Sequence, residues 1–161
     1  MIGVDMRPKL KAIVGLIGAA LVAGLFVVSP AAGETVIHLV LPRDGLTVKF
    51  VDIDHDGLRL GDRAAARGRL VDANASDRVG TAYFECLVQK RIVGSSQGLF
   101  NCTYVLHLAD GDIILQGLDP RGEGASEFAV LGGTGAYGTA TGDATFTDTE
   151  STTDIVIRLA S

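Results

Sequence analysis

Two short stretches and one pair of cysteines carry residue types at spacings that could do chemistry. Asp52-Ile53-Asp54-His55-Asp56-Gly57 reads D-x-D-x-D-G, half of a calcium loop whose carboxylates would take a hard cation. The other half is missing, because Arg63 stands where a bidentate glutamate would close the site and the preceding residues read as strand. Asp56-Gly57 therefore reads as a solvated turn. Gly133, Gly135 and Gly138 spell G-x-G-x-x-G, which cradles a pyrophosphate when a helix N-terminus follows. Here Ala140, Gly142, Ala144 and Phe146 alternate with Thr139, Thr141, Asp143, Thr145 and Thr147, so a strand follows and the glycines read as a turn needing positive φ. His38, His55 and His107 are scattered, with no spacing that makes a metal face. No G-x-S-x-G nucleophile elbow occurs.

The elements that must position any site are strands. Period-two alternation predicts them over 46–54, 63–72, 78–90, 98–109, 113–118, 126–131, 137–148 and 152–159, with Asp110-Gly111, Ser95-Ser96, Pro120-Arg121-Gly122 and Gly132-Gly133 as turns between. Residues 33–45, with Pro42 and Gly45, read as a leader of unsettled order ahead of a single domain over 46–161. Ahead of both, Arg7, Lys9 and Lys11 precede an apolar run from Ala12 to Val28 that ends in Ser29-Pro30-Ala31-Ala32, the layout of a secretory signal peptide over 1–32. An uncleaved membrane anchor is the competing reading. Cleavage would remove three of the 14 Lys+Arg and one of the 19 Asp+Glu, taking the net charge from −5 to −7. Such a surface repels phosphate backbones and disfavours nucleic acid as a partner.

An antiparallel array of this size with one apolar face must pair with a second sheet or close on itself. The fold class expected is all-β, an eight-stranded antiparallel β-barrel, whose lumen is either filled by side chains or holds one small ligand. Ala64, Ala66, Gly68, Ala140, Gly142 and Ala144 fall on the inward faces and suit either case. Cys86 and Cys102 each lie eight residues from Gly94, so a symmetric hairpin opposes them within disulfide range. In an exported protein a bridge is the default, closing a short loop with modest gain in stability. The alternative leaves a Cys86 thiol facing the lumen beside Phe84 and Tyr104. Asp52 and Asp54 continue the parity of Leu46, Val48 and Phe50 and would project to the barrel mouth, where a carboxylate could act as a base or stabilise a developing cation.

The series Gly61-Asp62, Gly68-Arg69-Leu70-Val71-Asp72, Arg78-Val79-Gly80, Cys86, Gln116-Gly117 and Gly132-Gly133-Thr134-Gly135-Ala136-Tyr137 resembles the allene oxide cyclase and dirigent protein superfamily over residues 46–160. The resemblance implies an eight-stranded barrel, often trimeric, with a cavity for a hydrophobic small molecule and no metal or organic cofactor. It implies chemistry by confinement: cyclisation, isomerisation or stereoselective coupling, by a cofactor-independent isomerase if the protein is an enzyme. Cys86 then matches a cavity cysteine, Asp52 and Asp54 fall where the cyclases place a glutamate and an asparagine, and Tyr104 approximates a cavity tyrosine. Asp52, Asp54 and Cys86 are the catalytic candidates, and Phe84, Tyr104 and Gln116 the substrate-binding ones. The chain departs from the pattern at Cys102, a partner that would consume the Cys86 thiol, and at Gly138 and Thr141, where dirigent proteins commonly carry arginines. A non-catalytic ligand carrier and an extracellular structural module with the same barrel are the rival functions.

Overall fold

The alternation of apolar and polar residues demands sheets with one buried face, and strands make up most of the described residues. The computed structural model describes residues 33–53, 59–91, 98–120 and 124–160. The strands are β1 (Thr35–Pro42), β2 (Thr47–Val51), β3 (Arg63–Asp72), β4 (Arg78–Arg91), β5 (Gly98–Leu108), β6 (Gly111–Asp119), β7 (Ala125–Gly133), β8 (Thr141–Asp148) and β9 (Thr152–Ala160), with a 3-10 turn at Gly135–Tyr137. Sequential strands from β2 to β9 pair antiparallel, β9 pairs with β1, and β1 returns to β3 through Leu39↔Asp72 and Val40↔Val71. The result is a closed barrel of eight strands.

β1 and β2 lie end to end along β3, β1 against residues 71–72 and β2 against 63–67. The break between them has local causes. Pro42 brings no N–H to a ladder, and Gly45 takes φ +86° to turn the chain. Residues 33–45 are thus no leader: β1 is a full barrel strand, paired along its whole length with β9. Its signal was masked because Leu39, Val40 and Leu41 are all buried, which breaks the alternation. Val40 and its partner Val71 are buried outside the main core, at the seam where the barrel closes.

The strand expected over 46–54 is shorter than its pattern. Val48 and Phe50 share the inward parity of their partners Ala66 and Ala64, but β2 is an edge strand and they remain 43% and 60% exposed. Tyr137, expected in a strand, lies in the 3-10 turn, and β8 starts at Thr141. The expected signal segment 1–32, the Ser95-Ser96 turn and Arg121-Gly122 lie outside the described residues.

Inside, the lumen is packed in two chemical zones. Leu70, Leu106 and Ile113 fill the end that carries the 73–77 and 109–110 turns. Phe84, Tyr104, Phe128 and Phe146 meet further toward the opposite end. At the first end Asp72 shapes the β3–β4 turn. Its carboxylate accepts N–H bonds from Ser76 (2.9 Å) and Asp77 (3.2 Å), and these hold its carboxyl below the usual range. That turn also places Ala75 at φ +56°.

Candidate functional site: an aromatic cup at one barrel mouth

Four inward rings from four strands make the floor. Phe84 stacks on Tyr104 with centroids 4.8 Å apart, and Tyr104 meets Phe128 (5.1 Å) and Phe146 (4.7 Å) edge-on. Phe128 and Phe146 complete the cluster at 4.5 Å. Above the rings lies a cavity of about 130 Å³, walled by Leu41 and Leu46 and rimmed by Arg43, Asp119, Ser126, Asp148 and Thr153.

The polar rim comes from strand ends, where the inward parity of each strand outlasts its apolar residues. Asp119 ends β6 in step with Ile113 and Leu115, is buried at 7% exposure, and accepts a bond from the Ser126 hydroxyl at 3.2 Å. Asp148 ends β8 in step with Ala144 and Phe146, accepts a bond from the Thr153 hydroxyl at 2.6 Å, and faces the Arg43 guanidinium at 3.3 Å. The cup thus offers aromatic faces to an apolar or cationic group, a buried carboxylate close to them, and a guanidinium at the lip.

Of the residues expected from sequence, Phe84 and Tyr104 line the cup. Cys86 and Cys102 are direct register partners, both fully buried, and form a disulfide. The bridge read as the default is thus formed, and the catalytic role that the resemblance implied for Cys86 has no thiol to act through. Gln116 is misplaced by the sequence reading: it pairs with Thr103 and Ala129 on the exposed outer face, while Leu115 points inward. Asp52 lies just past the end of β2 and is not among the residues lining the cup; Asp54 is outside the described residues.

Another aspartate, named from sequence only within the Gly61-Asp62 motif, holds the backbone at Ile53 and Arg59. Asp62, at 3% exposure, accepts the Ile53 N–H (3.0 Å) and the Arg59 N–H (2.6 Å). Among the described residues no three His, Cys, Asp or Glu side chains converge as metal ligands. On the outer face at the opposite barrel end, His107 Nδ1 lies 2.7 Å from Asp112, whose other oxygen accepts the Thr134 hydroxyl at 3.1 Å. The carboxylate stands in the middle of this row, between the imidazole and the hydroxyl, unlike a catalytic triad, in which the imidazole stands between the other two.

Arg43, Asp119, Ser126, Phe128, Phe146, Asp148 and Thr153 were not singled out beforehand. For the two aspartates a signal existed, since each continues the inward parity of an apolar strand to its last residue.

Replacing both cysteines by alanine is expected to lower the unfolding free energy by about 2–3 kcal/mol, read as a shift of the urea midpoint. The bridge spans only 16 residues of sequence, which places it near the lower end of the usual range. A midpoint unchanged from wild type would show that the bridge adds nothing to strand pairing.

Fold and cup define a class first: a closed antiparallel barrel of eight strands with an aromatic-floored recess at one end. Particular solved structures share the barrel. A pyocyanin demethylase aligns with 78% of this chain and 99% of its own at 21% identity and a TM-score of 0.66. The pterocarpan synthase dirigent protein GePTS1 aligns over 80% and 88% at 19% identity with a TM-score of 0.63. The Diels-Alderase AbmU from Streptomyces koyangensis aligns over 81% and 70% at 20% identity with a TM-score of 0.60. In sequence, no known family profile and no curated protein matches the chain. Identities this low establish the fold, in keeping with the dirigent-like barrel that the sequence motifs implied.

Proposed function

We propose that the protein is an exported barrel that binds a hydrophobic small molecule in the aromatic cup and steers its cyclisation, isomerisation or coupling. The observation that carries this reading is Asp119, a buried carboxylate set beside an aromatic floor at the mouth of a closed barrel. The ring faces hold an apolar ligand in a restricted set of conformations, which lowers the entropic part of the barrier. As positive charge develops on the ligand, the Asp119 carboxylate and the ring quadrupoles stabilise it. Arg43, at the lip, suits a ligand oxygen that gathers negative charge. The cystine fits an oxidising compartment, which supports export.

The structural neighbours add support of a general kind. Their names cover a demethylase, Diels-Alderases and a pterocarpan synthase, so one barrel hosts several ways of remaking small molecules. A cup of about 130 Å³ favours a compact ligand, or one that leaves part of itself at the mouth.

A carrier is the second reading, favoured by the rim: Asp119 is already bonded to Ser126, and Asp148 to Arg43 and Thr153. Asp119→Asn separates the two, because it keeps the shape and removes the charge. With the ligand that co-purifies from the native host, identified by mass spectrometry, the enzyme reading expects affinity within about twofold and turnover lower by about 10²-fold or more. Binding without turnover in the unaltered protein would establish the carrier instead.

A further inference from the structure

We infer that the outer face of β2, β3 and β4 is a second binding site, separate from the cup, and that its ligand is an acidic polysaccharide. The chain carries a net charge of −5, yet Arg63, Arg67 and Arg69 project from one side of β3, and Arg78 joins them from β4. Register places Thr47, Arg67 and Tyr83 in one row across the three strands, with Arg69 and Thr81 in the next. Together with Arg78 they line a groove of about 320 Å³.

Outward arginines are commonly just solvated, and here the flanking ones have partners. Arg63 pairs with Glu85 at 3.2 Å, Arg69 Nη2 donates to both carboxylate oxygens of Asp44 at 3.0 and 3.1 Å, and Arg78 donates to the Thr81 hydroxyl at 3.0 Å. The Arg67 side chain, at the centre, makes no ion pair or hydrogen bond with the described residues. Directly across from it stands Tyr83, a large ring left 48% exposed on a charged face.

These parts select a ligand chemistry. A guanidinium fork matches the two oxygens of a carboxylate or sulfate. The flat Tyr83 ring can stack on the C–H face of a sugar, and the Thr47 and Thr81 hydroxyls suit sugar hydroxyls. Arg67 and Arg69 are two residues apart on one strand, roughly 7 Å, so an extended polymer can present acid groups to both. Nucleic acid fits less well, because single strands are held by several aromatic rings on which successive bases stack, and Tyr83 is the one aromatic ring lining the groove. A lipid surface would need apolar side chains to insert, and Tyr83 is the one large apolar group lining the groove.

Electrophoresis of the full protein through gels containing polygalacturonate, dextran sulfate, neutral dextran or poly(dT) tests the site. Retardation by at least one of the two acidic polysaccharides, and not by dextran, is expected, and the stronger of the two distinguishes carboxylate from sulfate. Arg67→Ala and Tyr83→Ala should each raise the apparent Kd about tenfold. Arg67→Lys should fall between, keeping the charge and losing the fork. Arg158→Ala, on the outer face of β9, should bind as wild type. Three results would overturn the site: no retardation by either acidic polysaccharide, retardation indifferent to Arg67→Ala and Tyr83→Ala, or retardation by poly(dT) as strong as by the sugars.

Discussion

Phe128→Ala should lower the unfolding free energy by about 3 kcal/mol, the low end of the usual cost of deleting a buried ring. Phe128 is 2% exposed and touches both Tyr104 and Phe146, so its removal strips contacts from two other rings. The cost stays at the low end because the space left behind joins the cup and can take up water, so it is not sealed as a void. Urea denaturation should show a lower midpoint with an unchanged slope. Phe50→Ala is the natural control: the same deletion at a side chain 60% exposed should move stability by no more than about 0.5 kcal/mol. If the two variants melted alike, the aromatic cluster would not be the floor of the site. The Phe128 variant should also admit bulkier ligands than the parent, a gain of function bought with stability.

Gly142→Ala should be at least as damaging, on the order of 3 kcal/mol, and for a different reason. Gly142 sits at φ +144°, and a Cβ there would come 1.9 Å from the carbonyl oxygen of Arg158. That oxygen belongs to the β9 backbone, paired with β8 through Gly142↔Leu159, so relief would require opening the ladder. The melting temperature should fall by roughly 10 °C. Gly33→Ala, where a Cβ would meet nothing within 4 Å, should leave it unchanged. A Gly142→Ala protein melting within about 2 °C of wild type would show that β8 and β9 can part there at little cost.

Gly142 also shows what a sequence can and cannot tell. The alternation through Ala144 and Phe146 identified a strand with small inward residues, which holds, but the stringent demand on Gly142 comes from the carbonyl oxygen of Arg158 on the neighbouring strand, sixteen positions away. β3 was legible to the residue because one face carries arginines and the other Ala, Gly and Leu, and β4 almost so because Ala82, Phe84, Cys86 and Val88 alternate with Thr81, Tyr83, Glu85 and Leu87. β1 was missed because the seam buries Val40 and Val71 on the outer face and so erases the contrast between faces. The cystine followed from hairpin symmetry, and the cup residues Phe84 and Tyr104 from inward parity. Gln116 was carried in by the motif resemblance against its own parity, and it faces outward. The acidic rim was harder to see, since Asp119 and Asp148 meet only after four strand ends converge. The same parity rule that drew attention to Asp52 would have found them.

The closing ladder of the barrel joins the first strand to the last, Thr35 to Leu159. While the chain is being made, β1 must therefore wait for β9, with its apolar residues still in water. In that interval β1 and β3 each carry a raw edge that a neighbouring chain could capture. The two residue pairs that afterwards join them seal the circle only lightly, so the most vulnerable moment for this protein is the one just before it becomes a barrel.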